Sequence, residues 1–294
     1  MSQEKSMSES NINTVGIVGA GTMGSGIAEL VASAGKNVVL LDIEKDIAED
    51  AVAKIEKSLG RLARRGKIDK EQVTLIVSRI HSTEDYSDFN GADIVIEAAS
   101  EDMDLKKAVF AKIEENAGED TIIATNTSTL SVTELAMNTS RPEKVVGMHF
   151  FNPAPIMKLV EVINTAKTSP DILEETMEFA RSLDKYPIMA KDRAGFVVNR
   201  ILLPMINEAI FTLDEGIAAA AEIDNAMKLG ANHPIGPLAL ADLIGLDVTL
   251  SVLDVLYTEY GDQKFRPAPL LKEMVRAGNL GRKTGKGFFE YGRK

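Results

Sequence analysis

The fold is decided by residues 14–24, TVGIVGAGTMG, which contain the glycine motif Gly19-Ala20-Gly21-Thr22-Met23-Gly24. A short apolar run ends directly before the motif, and a helical pattern extends from Thr22 to Ala34. In this setting the first glycine permits a tight turn and the second lets backbone approach a pyrophosphate. The third allows a helix to pack closely on a strand. The stretch therefore predicts a dinucleotide site at the start of a helix.

The acidic residue that follows the motif indicates which dinucleotide is bound. Asp42 lies at the end of the second apolar run, where its carboxylate can accept hydrogen bonds from ribose hydroxyls and would repel a 2′-phosphate. Glu44 is nearby, and no arginine follows Asp42 directly, which favours NAD over NADP. FAD shares the glycine fingerprint, and a glycine-rich turn without a binding role is the remaining alternative.

Outward from the motif, short apolar runs alternate with helical patterns, which is typical of parallel strands with crossover helices. From residue 195 onward the patterns are helical until the last residues. We predict an α/β fold with a disordered tail (1–11), a Rossmann-type, mostly parallel sheet domain (12–192) and an all-helical C-terminal domain (193–294). The predicted strands are 14–18, 38–41, 93–97, 121–124, 145–150, 159–163 and 186–190. The predicted helices are 22–34, 46–65, 170–183, 196–216, 223–229, 237–260 and 269–277.

Composition excludes several classes of function. The 294 residues contain no cysteine and three histidines, so thiolate nucleophiles and cysteine-based metal sites are excluded and a histidine-rich metal site is not expected. The net charge of -11 disfavours nucleic acid and anionic membranes as partners. No apolar run approaches the roughly 20 residues that cross a bilayer, and the first residues do not resemble a targeting signal, so we expect a cytoplasmic protein.

One histidine has a catalytic setting. His149 ends the run VVGMHF, and Glu161 interrupts the apolar run LVEVI twelve residues later. If the two runs form an antiparallel hairpin centred on Pro155, positions 149 and 161 are directly opposed and their side chains share a face. Such a carboxylate fixes the imidazole tautomer and favours its charged form, as a general acid/base requires. A structural histidine with an unrelated glutamate is the alternative.

Two further groups suggest contacts with a substrate. Polar residues 126–129 follow an apolar run at the same sheet edge, where Ser128 can bind a substrate oxygen. The alternative, which the residue types alone favour, is turn and cap chemistry. Arg61 and Arg65 share a face at the end of the second helix and can contact the phosphates of coenzyme A. The alternative is that they complement the carboxyl terminus of the helix.

Seven sequence motifs are specific enough to indicate a known family. They are GAGTMG (19–24), VIEAA (95–99), TNTS (125–128), GMHFFNP (147–153), GFVVNR (195–200), GPL (236–238) and GRKTGKGF (281–288). Through these motifs, residues 12–292 resemble the 3-hydroxyacyl-CoA dehydrogenases, and in particular their bacterial short-chain 3-hydroxybutyryl-CoA members. Two departures stand out: arginine at positions 61 and 65, where family members often have lysine, and Ala194 where they often have proline.

The resemblance implies a specific reaction, in which (S)-3-hydroxybutyryl-CoA and acetoacetyl-CoA interconvert with NAD, and a homodimer formed through the helical domain. It implies that His149 is the general acid/base and Glu161 its partner, and that Ser128 and Asn199 bind the reacting oxygen of the short-chain acyl-CoA. It also places Asp42, Glu101, Lys106 and Asn152 around the cofactor.

Two other functions remain open at this stage. A nicotinamide-dependent reductase of a 3-hydroxy acid without coenzyme A shares the fold, although such enzymes usually rely on a lysine for proton transfer. A non-catalytic NAD-binding structural protein also shares it. Binding of the cofactor without turnover would favour the second alternative.

Overall fold

The computed structural model describes residues 10–292, which form two compact units that divide between Asp192 and Arg193. The tail predicted over residues 1–11 lies outside the described residues, apart from Ser10 and Asn11. Each unit has a hydrophobic core of its own. The division falls where the series of strands ends and the remaining elements become helical.

The first unit contains eight strands: β1 (Thr14–Val18), β2 (Asn37–Leu41), β3 (Ile80–Thr83), β4 (Ile94–Glu97), β5 (Ile122–Thr125), β6 (Val145–Phe150), β7 (Leu159–Asn164) and β8 (Tyr186–Lys191). They form one sheet in the order β3-β2-β1-β4-β5-β6-β7-β8. All neighbouring strands are parallel except β6 and β7, which are antiparallel. The predicted Rossmann-type, mostly parallel sheet is confirmed.

Six helices connect these strands: α1 (Thr22–Ser33), α2 (Lys45–Arg64), α3 (Lys70–Val77), α4 (Met103–Asn116), α5 (Val132–Ala136) and α6 (Pro170–Ser182). The last four begin at a side chain that accepts a backbone N–H, which satisfies one of the donors left over at a helix start. Helix α1 has no such side-chain cap and no acidic residue in its first turn. Its amino terminus therefore offers N–H groups to an anion.

The order of strands reverses at β1, since the chain adds β2 and β3 on one side and β4 to β8 on the other. In open α/β sheets, ligands bind outside the carboxyl ends of the strands at such a reversal. The residues that follow the carboxyl ends of β1, β4, β5 and β6 are Gly19, Ala98, Asn126 and Phe151. This edge is where the glycine motif, the TNTS segment and the histidine meet.

The second unit consists of α7 (Val198–Asp214), α8 (Ala220–Gly230), α9 (Pro237–Ile244), α10 (Leu246–Tyr260) and α11 (Pro269–Arg276), with short β-bridges at residues 281–290. The all-helical prediction is confirmed, but the single helix predicted over residues 237–260 is wrong. Gly245 separates α9 from α10 with a φ of 107°, which residues other than glycine rarely adopt. In the part of the chain that the structure describes, no helix is both long and apolar enough to cross a membrane.

Candidate active site

The three motif glycines serve different purposes. Gly19 has a φ of 99°, and a Cβ there would lie 2.8 Å from the carbonyl oxygen of Ala98. A Cβ on Gly24 would lie 1.7 Å from the carbonyl oxygen of Gly19. At both positions, therefore, the protein's own backbone leaves room only for glycine. A Cβ on Gly21, by contrast, would meet nothing within 4 Å. Open space in front of an uncapped helix amino terminus fits a pyrophosphate.

The open space at Gly21 leads to a binding prediction. We expect Gly21→Ala to weaken NADH binding at least about tenfold, because the new methyl group occupies the space through which a pyrophosphate approaches backbone. The free energy of unfolding should change by less than about 1 kcal/mol, the scale of a helix-cap substitution. Fluorescence titration with NADH measures the first quantity, and thermal unfolding measures the second.

Gly230→Ala is the matched control for this prediction. Gly230 is also exposed, and its Cβ also meets nothing within 4 Å, but it lies at the end of α8. The Gly230→Ala variant should bind NADH as tightly as the native protein does. Equal binding by the Gly21 and Gly230 variants would show that the pyrophosphate does not pass Gly21.

Asp42 follows β2 and faces the glycine motif. Its Oδ2 accepts the Ala20 N–H at 2.6 Å, and its Oδ1 accepts the Ile43 N–H at 2.7 Å. The carboxylate thus secures the motif from the neighbouring strand. Each of its oxygens has a second lone pair, so the group retains acceptor capacity for a ribose hydroxyl.

His149 and Glu161 are directly paired across the β6–β7 hairpin, in the register that the sequence predicted. His149 Nδ1 lies 2.7 Å from Glu161 Oε2. The glutamate is fully buried and the histidine is 6% exposed. The ring of Phe151 lies 4.5 Å from the imidazole, between centroids, and covers part of it.

This pairing determines the chemistry of the imidazole. An ionised carboxylate only accepts hydrogen bonds, so beside an ionised Glu161 the ring proton is carried by Nδ1. In the neutral ring the lone pair then belongs to Nε2. A proton taken up at Nε2 gives an imidazolium beside a buried carboxylate. The pair is therefore arranged for general acid/base chemistry.

The segment 127–129 is organised by Glu101, which precedes α4. Glu101 Oε1 accepts hydrogen bonds from the Ser128 N–H at 2.9 Å and the Ser128 hydroxyl at 3.2 Å. It also accepts from the Thr127 hydroxyl and from both the N–H and the hydroxyl of Thr129. Ser128, identified from sequence as a candidate, is thus positioned by a residue that is 27 positions away along the chain.

The electrostatics around Glu101 favour its charged form. Burial acts to raise the pKa of this carboxyl, but the ammonium of Lys106 and the hydrogen bonds from Thr127, Ser128 and Thr129 outweigh that effect. The net result is a pKa below the ordinary value of a glutamate. Glu101 therefore remains an acceptor for this segment at neutral pH.

Sequence reasoning assigned no role to two residues at this edge, although Asn126 belongs to the polar segment that it singled out. Glu97 ends β4 fully buried, and its Oε1 lies 2.7 Å from Lys106 Nζ. The Oδ1 of Asn126 accepts the Phe150 N–H at 2.9 Å, which ties the end of β5 to the strand that carries His149. A signal for Glu97 existed, since a glutamate ends the otherwise apolar run IVIE over residues 94–97.

Two family models match nearly all of the described chain. The 3-hydroxyacyl-CoA dehydrogenase NAD binding domain matches residues 14–193, and the 3-hydroxyacyl-CoA dehydrogenase C-terminal domain matches residues 195–291. The chain belongs to the 3-hydroxyacyl-CoA dehydrogenase family. It is an NAD-dependent oxidoreductase, and the prediction of NAD as its cofactor is confirmed.

The dehydrogenase resembles its relatives over nearly its full length. The 3-hydroxybutyryl-CoA dehydrogenase of Clostridioides difficile is 52% identical over 275 residues, which are 94% of this chain and 98% of that protein. The probable 3-hydroxybutyryl-CoA dehydrogenase of Bacillus subtilis strain 168 is 46% identical, over 96% of this chain and 99% of that protein. The crystal structure of (S)-3-hydroxybutyryl-CoA dehydrogenase from Ralstonia eutropha has a TM-score of 0.93 at 52% identity, covering 96% and 100% of the two chains.

The remaining predicted site residues of this dehydrogenase lie outside strands β6 and β7. Asn152 is exposed in the turn of the β6–β7 hairpin. Arg61 lies in the last turn of α2 and Arg65 caps it, both exposed. Asn199 is the second residue of α7 and belongs to the second unit. Their roles stay predictions.

Proposed function

We propose that this dehydrogenase interconverts (S)-3-hydroxybutyryl-CoA and acetoacetyl-CoA, with His149 as the general acid/base. The observation that carries the proposal is the buried His149–Glu161 pair, 2.7 Å between Nδ1 and Oε2, at the sheet edge that also bears the glycine motif. The names of the relatives support the substrate class. Bound NAD supplies the acceptor for the hydride that leaves C3 of the substrate.

In the direction of oxidation, Nε2 of His149 takes the proton of the C3 hydroxyl as the C3–H bond breaks and the C3–O bond becomes a carbonyl. Glu161 keeps the ring in the required tautomer and stabilises the imidazolium. When the substrate is bound, the Ser128 hydroxyl turns its single proton from Glu101 to the C3 oxygen and orients that oxygen, and Asn199 assists in positioning the substrate. In reduction, the same histidine returns the proton.

The cofactor is held by groups on the first unit. The backbone from Gly19 to Gly24, which includes Ala20, Thr22 and Met23, binds the pyrophosphate at the start of α1, and Asp42 accepts from a ribose hydroxyl. Glu101 and Lys106 would join these groups around the cofactor, and Asn152 would lie by its nicotinamide end. Support for this arrangement comes from the space at Gly21 and the remaining lone pairs of Asp42.

The reaction is tested by the loss of NADH absorbance with acetoacetyl-CoA, compared with NADPH as the reductant and with free acetoacetate as the substrate. Rapid loss with NADH and the CoA ester alone is the expected result. Turnover of free acetoacetate at a similar kcat/KM would point to a reductase of hydroxy acids without coenzyme A. Binding of NADH without turnover of either substrate would point to a non-catalytic NAD-binding protein.

The proposed coenzyme A contact is tested at Arg61 and Arg65. Both are exposed, and among residues 10–292 neither takes part in an ion pair. We expect Arg61→Ala with Arg65→Ala to raise the KM for acetoacetyl-CoA about tenfold, since two charge-assisted contacts to phosphate are lost. The kcat should change little, and so should the KM for an acetoacetyl thioester of N-acetylcysteamine, which lacks the phosphates.

Arg64→Ala separates this role from a helix-end role. Arg64 is exposed in the same last turn of α2, so all three arginines complement the helix carboxyl terminus about equally. A helix-end role for Arg61 and Arg65 predicts that Arg64→Ala lowers stability as the others do and that no variant changes the KM. A selective effect on the CoA ester supports the phosphate contact.

We also propose that the protein acts in the cytoplasm as a homodimer formed through its helical unit. Large apolar side chains are exposed on that unit, among them Ile201, Ile217 and Leu229. Exposed apolar surface of this kind is typical of subunit interfaces. Sedimentation equilibrium should give twice the chain mass, and a monomer over the whole concentration range would contradict the dimer.

A further inference from the structure

The Glu97–Lys106 ion pair is buried and takes no part in the acid/base step. The two side chains are 0% and 1% exposed, and Lys106 Nζ lies 2.7 Å from Glu97 Oε1. A buried ion pair is weak evidence for stability, because well-packed apolar side chains of similar volume often serve as well or better. The contacts that the pair makes indicate another purpose.

The first set of contacts joins Glu97 to the segment that follows β5. Glu97 Oε2 accepts the hydroxyl of Thr125 at 2.7 Å, and that hydroxyl oxygen accepts the Thr127 N–H at 3.1 Å. The carbonyl oxygen of Glu97 accepts the Asn126 N–H at 2.8 Å. Glu97 thus fixes the course of the chain directly before Ser128.

The second set reaches Ser128 through Lys106. Its ammonium lies 3.4 Å from Glu101 Oε2 while it donates to Glu97, so it balances two carboxylates at once. The other oxygen of Glu101, Oε1, accepts hydrogen bonds from the N–H and the hydroxyl of Ser128. Without Glu97, the ammonium would have Glu101 as its only carboxylate partner among the described residues, and the carboxylate that holds Ser128 would shift toward it.

We propose that Glu97 is a positioning residue that fixes Ser128 by both routes, through Thr125 and through Lys106 and Glu101. The inference rests on the proposed role of Ser128 in binding the reacting oxygen. Glu97 itself touches neither substrate nor reacting atoms. This positioning role explains why a carboxylate lies at the end of a buried strand, although an apolar residue would be sufficient for packing.

Kinetics of Glu97→Gln, Ser128→Ala and the double variant test the proposal. If Glu97 acts through Ser128, Glu97→Gln lowers kcat/KM for acetoacetyl-CoA about tenfold in the native background and less than about twofold when Ser128 is already alanine. Equal effects of Glu97→Gln in the two backgrounds would overturn this inference but leave the proposed role of Ser128 standing. An unchanged kcat/KM in Ser128→Ala would overturn the proposed role of Ser128, and the inference with it.

Hydrogen exchange supplies a readout that does not depend on turnover. In Glu97→Gln, the amides of residues 127–129 should exchange at least about tenfold faster, because their acceptors are no longer held in place. Thr125→Val, which removes only the first route, should show a smaller increase, and it keeps the test available should Glu97→Gln fail to fold. Native protection of these amides in both variants would overturn the inference.

Thr121→Val is the matched control. Thr121 is buried like Thr125 and lies directly before the opposite end of β5, where its hydroxyl donates to the Ala92 carbonyl oxygen at 2.7 Å. This substitution also removes a buried threonine hydroxyl, but at the end of β5 that is remote from Ser128. Loss of kcat/KM and faster exchange at residues 127–129 in this variant would show that any damage to β5 has the same effect, which would overturn the specific role of Glu97.

Discussion

Replacing His149 with glutamine should lower kcat for the reduction of acetoacetyl-CoA about 10³-fold, within the range that general acid/base catalysis contributes. Glutamine retains a polar group near Glu161 but cannot take up or release a proton at neutral pH. The KM values for NADH and the CoA ester should change little, because the proposed binding groups lie on other residues. Steady-state kinetics with a fluorescence titration of NADH separates the two effects.

His81→Gln is the control for His149→Gln. His81 lies on β3 of the same sheet, and its Nε2 is 3.3 Å from Asp88 Oδ2, so it too is a histidine beside a carboxylate. That pair is largely exposed, whereas the His149 pair is buried. The variant should retain native kcat. Native turnover by a folded His149→Gln protein would refute the acid/base assignment.

The histidine pair was predictable because its geometry is local. Residues 149 and 161 are equidistant from Pro155, and a two-stranded hairpin converts that distance along the chain into a cross-strand pair. A single parameter, the centre of the turn, determines which residues face each other. The glycine motif is predictable for the same reason, since strand, turn and helix follow one another directly.

The Ser128 segment was only partly predictable, because its contacts connect distant parts of the chain. The sequence places polar residues after β5. It does not reveal that their N–H and hydroxyl groups donate hydrogen bonds to Glu101, which follows the neighbouring strand β4. Nor does it reveal that the buried Lys106 forms an ion pair with Glu97. Such pairings depend on how adjacent strands align, which the alternation of apolar residues leaves undetermined.

The break between helices α9 and α10 at Gly245 was not predicted, and the reason is different. Apolar residues recur with helical spacing on both sides of it, so the pattern of residues 237–260 alone predicts one helix. The structure requires a positive φ at this glycine, and a Cβ there would lie 3.0 Å from Asp247 Oδ1. A glycine inside a helical pattern is tolerated often enough that its presence does not identify a break.

Glu161→Gln should lower kcat about 10²-fold, while the protein remains folded and the KM for acetoacetyl-CoA changes little. The amide has the size of the carboxylate and its oxygen can still accept the Nδ1 proton, so the fold is preserved. It carries no charge, however, and its NH₂ group can donate to Nδ1 in the flipped orientation, which moves the imidazole proton to Nε2 and blocks proton uptake there. Stopped-flow single turnovers with NADH would place the loss on the chemical step.

The combination of Glu161→Gln with His149→Gln decides whether the glutamate acts through the histidine. If it does, the double variant should be no slower than His149→Gln alone, because the group that Glu161 orients is already gone. A further loss of about 10² in the double variant would mean that Glu161 contributes to catalysis by a separate route. The buried 2.7 Å contact predicts the first result, since it places the glutamate on the far side of the imidazole from Nε2, the nitrogen that exchanges the proton.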